Sequence, residues 1–274
     1  MCRKYKTAFT HGGLFHADDV FSTALLMILN PDIKIMRGYK VPEGFEGIVY
    51  DIGFGKYDHH QVTRRVRDNG IPYASFGLLW EEFGATIVGE KEAEKFDEEF
   101  VQPIDLADNT GKEYILSQVI SDRNTSWKEV TVDNEIRFFE AVAFAREILE
   151  YRFAQIIAEK EAYKFVCECA QNAKNKVVYL ERPMPWKEAI EEFDCLYVIF
   201  PSIRGGYNIQ AVPQNGSKFE LKKPFPEIWR GKTAEELQRM TKIDGFTFCH
   251  MTGFLCAVNT LDQAYEVAEL AMRE

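Results

Sequence analysis

Residues 135–174 read EIRFFEAVAFAREILEYRFAQIIAEKEAYKFVCECAQNAK, a run without a single glycine or proline. Apolar residues recur in it at helical spacing, at Ile136, Phe139, Val142, Ile148, Phe153, Ile156 and Ile157. The pattern predicts one long helix or two abutting ones, with Asp133 or Asn134 as N-cap. Such a helix spans on the order of 60 Å at 1.5 Å per residue, enough to link two lobes. Its apolar stripe can serve a homodimer as readily as the intramolecular core.

The flanks of this helix differ in kind. Before it, an apolar run 6-KTAFT-10 ends at Gly12-Gly13, and 18-DDVFSTALLMILN-30 has the composition of a helix closed by Asn30-Pro31. Strands near 33-IKIMRGY-39 and 48-IVYDIG-53 follow, separated by the loop 42-PEGFEG-47. Strands alternating with helices imply a parallel sheet with helices on its faces, and such sheets bind ligands beyond their strands' carboxyl ends. After the helix come short strands, 177-VVYL-180, 195-CLYVIFP-201, 207-YNIQAVP-213, 246-FTFCHM-251 and 254-FLCAV-258, and a terminal helix 260–274. The expected fold class is therefore α/β: a parallel-sheet N-terminal domain over 1–134, the connecting helix 135–174, and a smaller α+β domain over 175–274.

Charge and cysteine usage narrow the function. A net charge of −10 argues against gripping long nucleic acid through a broad basic face. The nearest candidates for a basic patch are 64-RRVR-67 and Lys218, Lys222 and Lys223. No segment approaches the ~20 consecutive apolar residues of a membrane span, and the start does not read as a signal peptide. The six cysteines, Cys2, Cys167, Cys169, Cys195, Cys249 and Cys256, show no CxxC pairing and read as reduced thiols of a cytoplasmic protein.

Four of the five histidines fall in the first sixty residues, His11 and His16 in 9-FTHGGLFHADDVFS-22 and His59 and His60 in 57-YDHHQ-61. Imidazole and carboxylate are the usual ligands of a divalent ion, and each pair stands beside aspartates. Asp18 or Asp19 also suits the role of helix cap, which leaves His11 and His16 unexplained. Asp51 closes an apolar strand, where a cation partner would offset its burial. Asp58 is placed to orient a neighbouring imidazole. Asp105 and Asp108, in 103-PIDLADNTG-111, are alternative completions of the site. Ligands for two ions suit phosphoryl chemistry, in which an activated water attacks in line. Mixed N/O ligands without thiolate favour Mn²⁺ first, with Mg²⁺ or Co²⁺ possible.

The ordered set HxxxxHxDD, Asp51 in VYDIG, DHHQ and the aspartates of DLADN resembles the DHH phosphoesterase superfamily. The stretches 11-HGGLFHADD-19, 57-YDHHQ-61, 106-LADNTG-111, 126-SWKEV-130, 209-IQAVP-213, 228-IWRG-231 and 248-FCHMTGF-254 resemble, nearly end to end, the melanocyte-proliferating-gene-1 family, whose eukaryotic members are described as 3'-5' exoribonucleases. The resemblance implies a catalytic α/β lobe and a C-terminal lobe that holds substrate over a metal cleft. It implies His11, His16, Asp18, Asp51, His59 and Asp108 as metal ligands, with Asp51 bridging two ions and Asp108 preferred to Asp105. Asp51, His59 and His60 would then be catalytic, His60 being free to contact the scissile phosphate. Two departures stand out: His16 replaces a carboxylate, and Phe254-Leu255-Cys256-Ala257-Val258 stands where relatives commonly carry Gly-Gly or a basic residue.

Beyond the ligands, Arg64 and Arg65 are candidates to neutralise the phosphate, and Arg204, Gly205, His250 and Gly253 are candidates for substrate contact. Gly205-Gly206 also reads as a plain hairpin turn. The leading expectation is a metal-dependent phosphodiesterase, a 3'-5' exonuclease on RNA or short oligonucleotides. Two others compete with it: a small-molecule phosphoesterase acting on a cyclic dinucleotide or phosphoanhydride, and a non-catalytic binding module stabilised by metal.

Overall fold

The computed structural model describes residues 5–129, 133–214, 217 and 220–274. Cys2, Lys218 and Val130 of the SWKEV stretch lie outside them. The chain divides into two compact units, Met1–Ile157 and Ala158–Glu274.

The first unit is built on three parallel strands, β1 (Thr7–His11), β2 (Lys34–Gly38) and β3 (Ile48–Val49), in the order β2-β1-β3. Helix α1 (Ala17–Leu29) follows β1 and buries all of its first ten residues. The expected strand 48–53 is cut to two residues, because the chain turns at Asp51, whose φ of 55° breaks the extended run. Helices then follow one another: α2 (Ser75–Val88), α3 (Glu90–Phe96), a π-helical turn (Asp97–Val101), α4 (Gln102–Thr110) and α5 (Ile115–Ser121). The core joins the sheet to Phe21, Phe76, Phe96 and Phe100, with Trp80 stacked on Phe153 at 5.5 Å between centroids.

Helix α6 (Asn134–Gln171) is a single uninterrupted helix. Its buried face keeps part of the stripe the sequence suggests, with Val142 and Phe153 buried and Ile148 and Ile156 packed against the core. Ile136, Phe139 and Ile157 are exposed, whereas Phe138, Ala141, Val142, Ala145, Leu149 and Phe153 enter the first unit's core. Ala141 and Ala145 lie on this seam, where small side chains allow close approach. Further along, Val166 and Ala170 join a separate core with Trp186 and Ile190.

The second unit is a mixed sheet of β4 (Val177–Tyr179), β5 (Tyr197–Pro201), β6 (Tyr207–Ala211), β7 (Phe246–Cys249) and β8 (Leu255–Val258), in the order β4-β5-β6-β8-β7. Only β4 and β5 run parallel. A short helix α7 (Lys187–Ile190) precedes β5. Helix α8 (Ala234–Thr241), opened by a Thr233/Glu236 capping box, lies on β7. Helix α9 (Leu261–Arg273) lies on β5, β6 and β8. Among the described residues no helix is long and apolar enough to cross a membrane.

Candidate metal centre

The first unit's strands point their carboxyl ends at one place. His11 ends β1, and Asp51 lies two residues beyond β3 with its amide donating to Tyr57 O at 3.0 Å. Asn109 and Asp108 come from α4, and His59 from the loop that follows Asp51. These residues line a cleft of about 560 Å³, together with His16, His60, Arg64 and Phe54. A second cavity of about 630 Å³, bounded by Cys169, Tyr179 and Tyr265, contains none of the motif residues.

Within the cleft three groups of potential ligands overlap. Two lie side by side, His11, Asp19 and Asp51 and then Asp18, His59 and Asp108; the third, Asp51, Asp58, His59 and His60, shares a residue with each. His11 Nε2 stands 3.4 Å from Asp19 Oδ2 and 3.2 Å from Asp51 Oδ2. His59 Nε2 stands 3.1 Å from Asp108 Oδ2, while its Nδ1 faces Asp51 Oδ1 at 3.5 Å and Asp18 Oδ2 at 3.8 Å. Asp51 thus turns one oxygen to each of the side-by-side groups.

The two neighbouring aspartates Asp18 and Asp19 divide the capping work between two helices. Asp19 Oδ1 accepts from His16 N at 2.8 Å and caps α1. Asp18 instead reaches across to α2, accepting from Ser75 N at 3.1 Å and Phe76 N at 2.6 Å. Asp105 accepts from the next amide, Gly77 N, at 3.1 Å. The first amides of α2, those of Ser75, Phe76 and Gly77, are therefore met by buried carboxylates, which the helix dipole also favours. Gly77 is required here, because a Cβ at that position would occupy the space of the Asp105 carboxylate.

This gives Asp105 a role outside the ligand groups. It is fully buried against Arg67 at 2.8 Å, and Arg67 also holds Asp97 through two bonds, of 2.9 and 2.7 Å. The 64-RRVR-67 stretch is consequently not a basic patch. Arg67 is internal, Arg65 forms a two-pronged pair with Glu81 at 2.9 and 2.8 Å, and only Arg64 lines the cleft.

His16 also departs from expectation. It is exposed at the start of α1, with its ring centroid 6.2 Å from that of His11, and falls in none of the ligand groups. Asp19 takes the place beside His11, a role hidden in the sequence because its capping function already accounted for it. His60 has a half-exposed side chain and stacks on His59 at 4.2 Å between centroids. Asp58 orients it, with Oδ1 2.8 Å from His60 Nδ1 and accepting from His60 N at 3.0 Å.

The glycine loop between β1 and α1 is fixed from a distance. Asn124 exchanges two hydrogen bonds with the Phe15 backbone, at 3.0 and 2.8 Å, and Asn134 donates to Gly13 O at 2.7 Å. Arg37, its side chain buried, donates to the same carbonyl at 3.2 Å and lies 3.8 Å from Asp19 Oδ2. No motif in the sequence marks these three residues.

The electrostatics of the centre call for positive charge. Burial, with the charges of Asp51, Asp108 and Asp105, holds the Asp18 carboxyl well above the usual range. Burial likewise pushes Asp19 up to about 7 against the opposing charge of His11. For His11, burial alone would lower the pKa, but the hydrogen bond to Asp51 and the charges of Asp19 and Asp51 raise it to about 9. Asp19 Oδ2 and Asp51 Oδ1 are buried without a hydrogen-bond donor. Unpartnered carboxylate oxygens converging with imidazoles fit a hard or borderline divalent cation.

A pH prediction follows. A carboxyl raised to about 7 binds more protons folded than unfolded, so its contribution falls as pH climbs from about 4 to 7. His11 contributes fully below its unfolded value and loses that contribution as pH passes through about 9. Both effects have one sign: protein stripped with EDTA should melt lower at pH 8 than at pH 5.5. Added Mn²⁺ should raise the melting temperature more at pH 8, since ligands must shed protons to bind it. Parallel melting curves across that range, with and without Mn²⁺, would contradict this account.

The C-terminal candidates are not brought together. Arg204 and Gly205 sit in the β5–β6 turn, closed by Gly205 N donating to Ser202 O at 3.0 Å. His250 and Gly253 sit in the β7–β8 turn, where His250 Nδ1 and Thr252 Oγ1 are 3.0 Å apart. Strand register puts these turns at opposite ends of the sheet, because Tyr207 pairs with Val258 and Gln210 with Leu255. One substrate contact site cannot include both pairs within this unit.

The family model described as an uncharacterised protein family (UPF0160), and named for MYG1 exonuclease, matches residues 7–272. The chain belongs to the MYG1 family. Human MYG1 exonuclease is 28% identical to it over 325 positions, covering 97% of this chain and 85% of the human protein. A MYG1 protein of Saccharomyces cerevisiae is 25% identical, covering 97% and 96%. One from Dictyostelium discoideum is 26% identical, covering 96% and 95%. The matches take in both units, so the MYG1 resemblance read from the motifs holds from the first strand to the last helix.

Proposed function

We propose that this MYG1-family protein is a metal-dependent phosphodiesterase, a 3'-5' exonuclease acting on RNA or short oligonucleotides. The observation that carries the reading is Asp51, a buried carboxylate with Oδ2 toward His11 and Oδ1, unpartnered, toward His59. The relatives named MYG1 exonuclease support the exonuclease class.

His11, Asp19 and Asp51 would hold one ion, and Asp18, His59 and Asp108 the other, with His16 at the rim as a further donor. Mn²⁺ suits this donor set, with Mg²⁺ or Co²⁺ as substitutes. When bound, such a pair supplies an activated water and neutralises the phosphate oxygens that gain charge. The chain does the rest. Asp51 sets the spacing of the two groups, and Asp58 fixes the His60 ring. His60 and Arg64, both on the open cleft, receive the anionic phosphate. Arg204 with Gly205, or His250 with Gly253, would meet the substrate from the C-terminal domain (175–274), the helix 135–174 joining it to the catalytic domain (1–134). The exposed Ile136, Phe139 and Ile157 of α6 leave a face for a homodimer. Cys249 and Cys256 face each other across β7 and β8 as free thiols, which suits a cytoplasmic setting.

The test is hydrolysis of 3'-labelled and 5'-labelled short RNA with Mn²⁺. Stepwise loss from the 3' end is expected, and EDTA should abolish it. Release from the 5' end, internal cutting, or cleavage of small phosphoanhydrides alone would overturn the reading.

A further inference from the structure

The metal cleft contains a side chain that ion binding does not need. Phe54 is 70% exposed and lines the cleft beside Asp51, His59 and His60. Its backbone lies at φ 57°, a left-handed conformation that is an outlier for a bulky residue. Glycines stand on both sides of it, so the chain could turn here without placing a phenyl ring in water.

The conformation is imposed by two neighbours. Phe54 N donates to Asp58 Oδ2 at 2.6 Å, and Gln61 Nε2 donates to Phe54 O at 3.0 Å and Gly55 O at 2.6 Å. Asp58 is the residue that also orients His60, so the Phe54 backbone and the exposed histidine are held by one carboxylate. Leu14, 63% exposed on the glycine loop after β1, lines the same cleft. Strain held in place by surrounding bonds points to function.

We infer that Phe54, with Leu14, forms a stacking platform for an unpaired nucleobase next to the scissile phosphate. The inference rests on the phosphodiesterase reading and narrows its substrate to single-stranded nucleic acid. Every base presents a π-face, so such a platform binds without sequence preference. It also answers an electrostatic difficulty. With a net charge of −10, the protein gains little from counterion release, and stacking supplies affinity that charge does not. A paired end must fray before its base can reach the ring, so duplex ends bind poorly.

The experiment measures binding of hydrolysis-resistant, phosphorothioate-linked tetra-adenylate and its fully abasic counterpart by fluorescence anisotropy. The proteins are wild type, Phe54→Asn, which tolerates the left-handed backbone, and Phe54→Trp, which keeps a π-face. Because the ring is exposed, the melting temperatures should agree and verify folding. The expected result is tetra-adenylate binding weakened about tenfold or more in Phe54→Asn, retained in Phe54→Trp, and equal abasic binding by all three. Equal tetra-adenylate binding by wild type and Phe54→Asn, or no binding by wild type, overturns the platform. Ring-dependent binding without release of nucleotide from ordinary RNA under Mn²⁺, Mg²⁺ or Co²⁺ would leave the platform and remove the hydrolytic reading.

Discussion

Asp51→Asn should abolish hydrolysis while leaving the fold intact, with kcat falling on the order of a thousandfold, the loss expected when several kcal/mol of cationic stabilisation are withdrawn. Asparagine keeps the volume of the side chain and tolerates the left-handed backbone that Asp51 adopts. It removes one charge from a buried group of carboxylates, so the metal-free melting temperature should hold or rise. The rise produced by Mn²⁺ should shrink, because ions stabilise only the state that binds them. Steady-state kinetics and melting curves on the same preparation check both halves. Retention of more than a tenth of the activity would remove Asp51 from the centre of the mechanism.

The second large effect concerns stability. Arg67→Ala should cost about 3–5 kcal/mol, the range for removing one partner of a buried ion pair. The cause is local: Arg67 is the cation facing fully buried Asp105, whose carboxyl caps α2. Burial pushes Asp105 up to about 7 even beside Arg67, and without the guanidinium it would rise further. Since a raised carboxyl destabilises the fold only where it must ionise, the loss should be smaller at pH 5 than at pH 8. Urea denaturation at both values tests this, and an equal loss at each would show that Arg67 acts through packing alone.

Much of the architecture is legible because its signals are local. The Gly/Pro-free run at 135–174 signals the helix that extends to Gln171, and β1, α1 and β2 carry apolar runs punctuated by Gly12-Gly13 and Asn30-Pro31. The stretch 75–121 carries weaker signals. Helix α2 is apolar around most of its surface and contains Gly77 and Gly84, which propensity counts against a helix. Those glycines answer to tertiary contacts, Gly77 to the Asp105 carboxylate and Gly84 to the Trp80 ring packed over it. The start of α8 was readable in principle, since 233-TAEE-236 has the capping-box spacing.

The centre shows the same division. His11, Asp18, Asp51, His59 and Asp108 come together because β1 and the loop after β3 place His11, Asp51 and His59, while helices α1 and α4 bring Asp18 and Asp108. Asp19 was obscured by its adequate role as a cap, and His16 drew a ligand role from its motif although its ring lies outside both groups. Arg64, Arg65 and Arg67 look alike in sequence, and only their partners, solvent, Glu81 and Asp105, separate them. Arg37, Asn124 and Asn134 secure the β1–α1 loop through contacts spanning 24 to 121 residues, which no local pattern encodes.

The most direct test of the central claim is electron paramagnetic resonance of the protein titrated with Mn²⁺. Two ions per chain should bind, one to each of the two ligand groups that flank Asp51, and they should be magnetically coupled. Asp51→Asn should lose the coupling. A single uncoupled ion in the wild type, or no bound manganese, would contradict the two-ion centre and the hydrolytic function built on it.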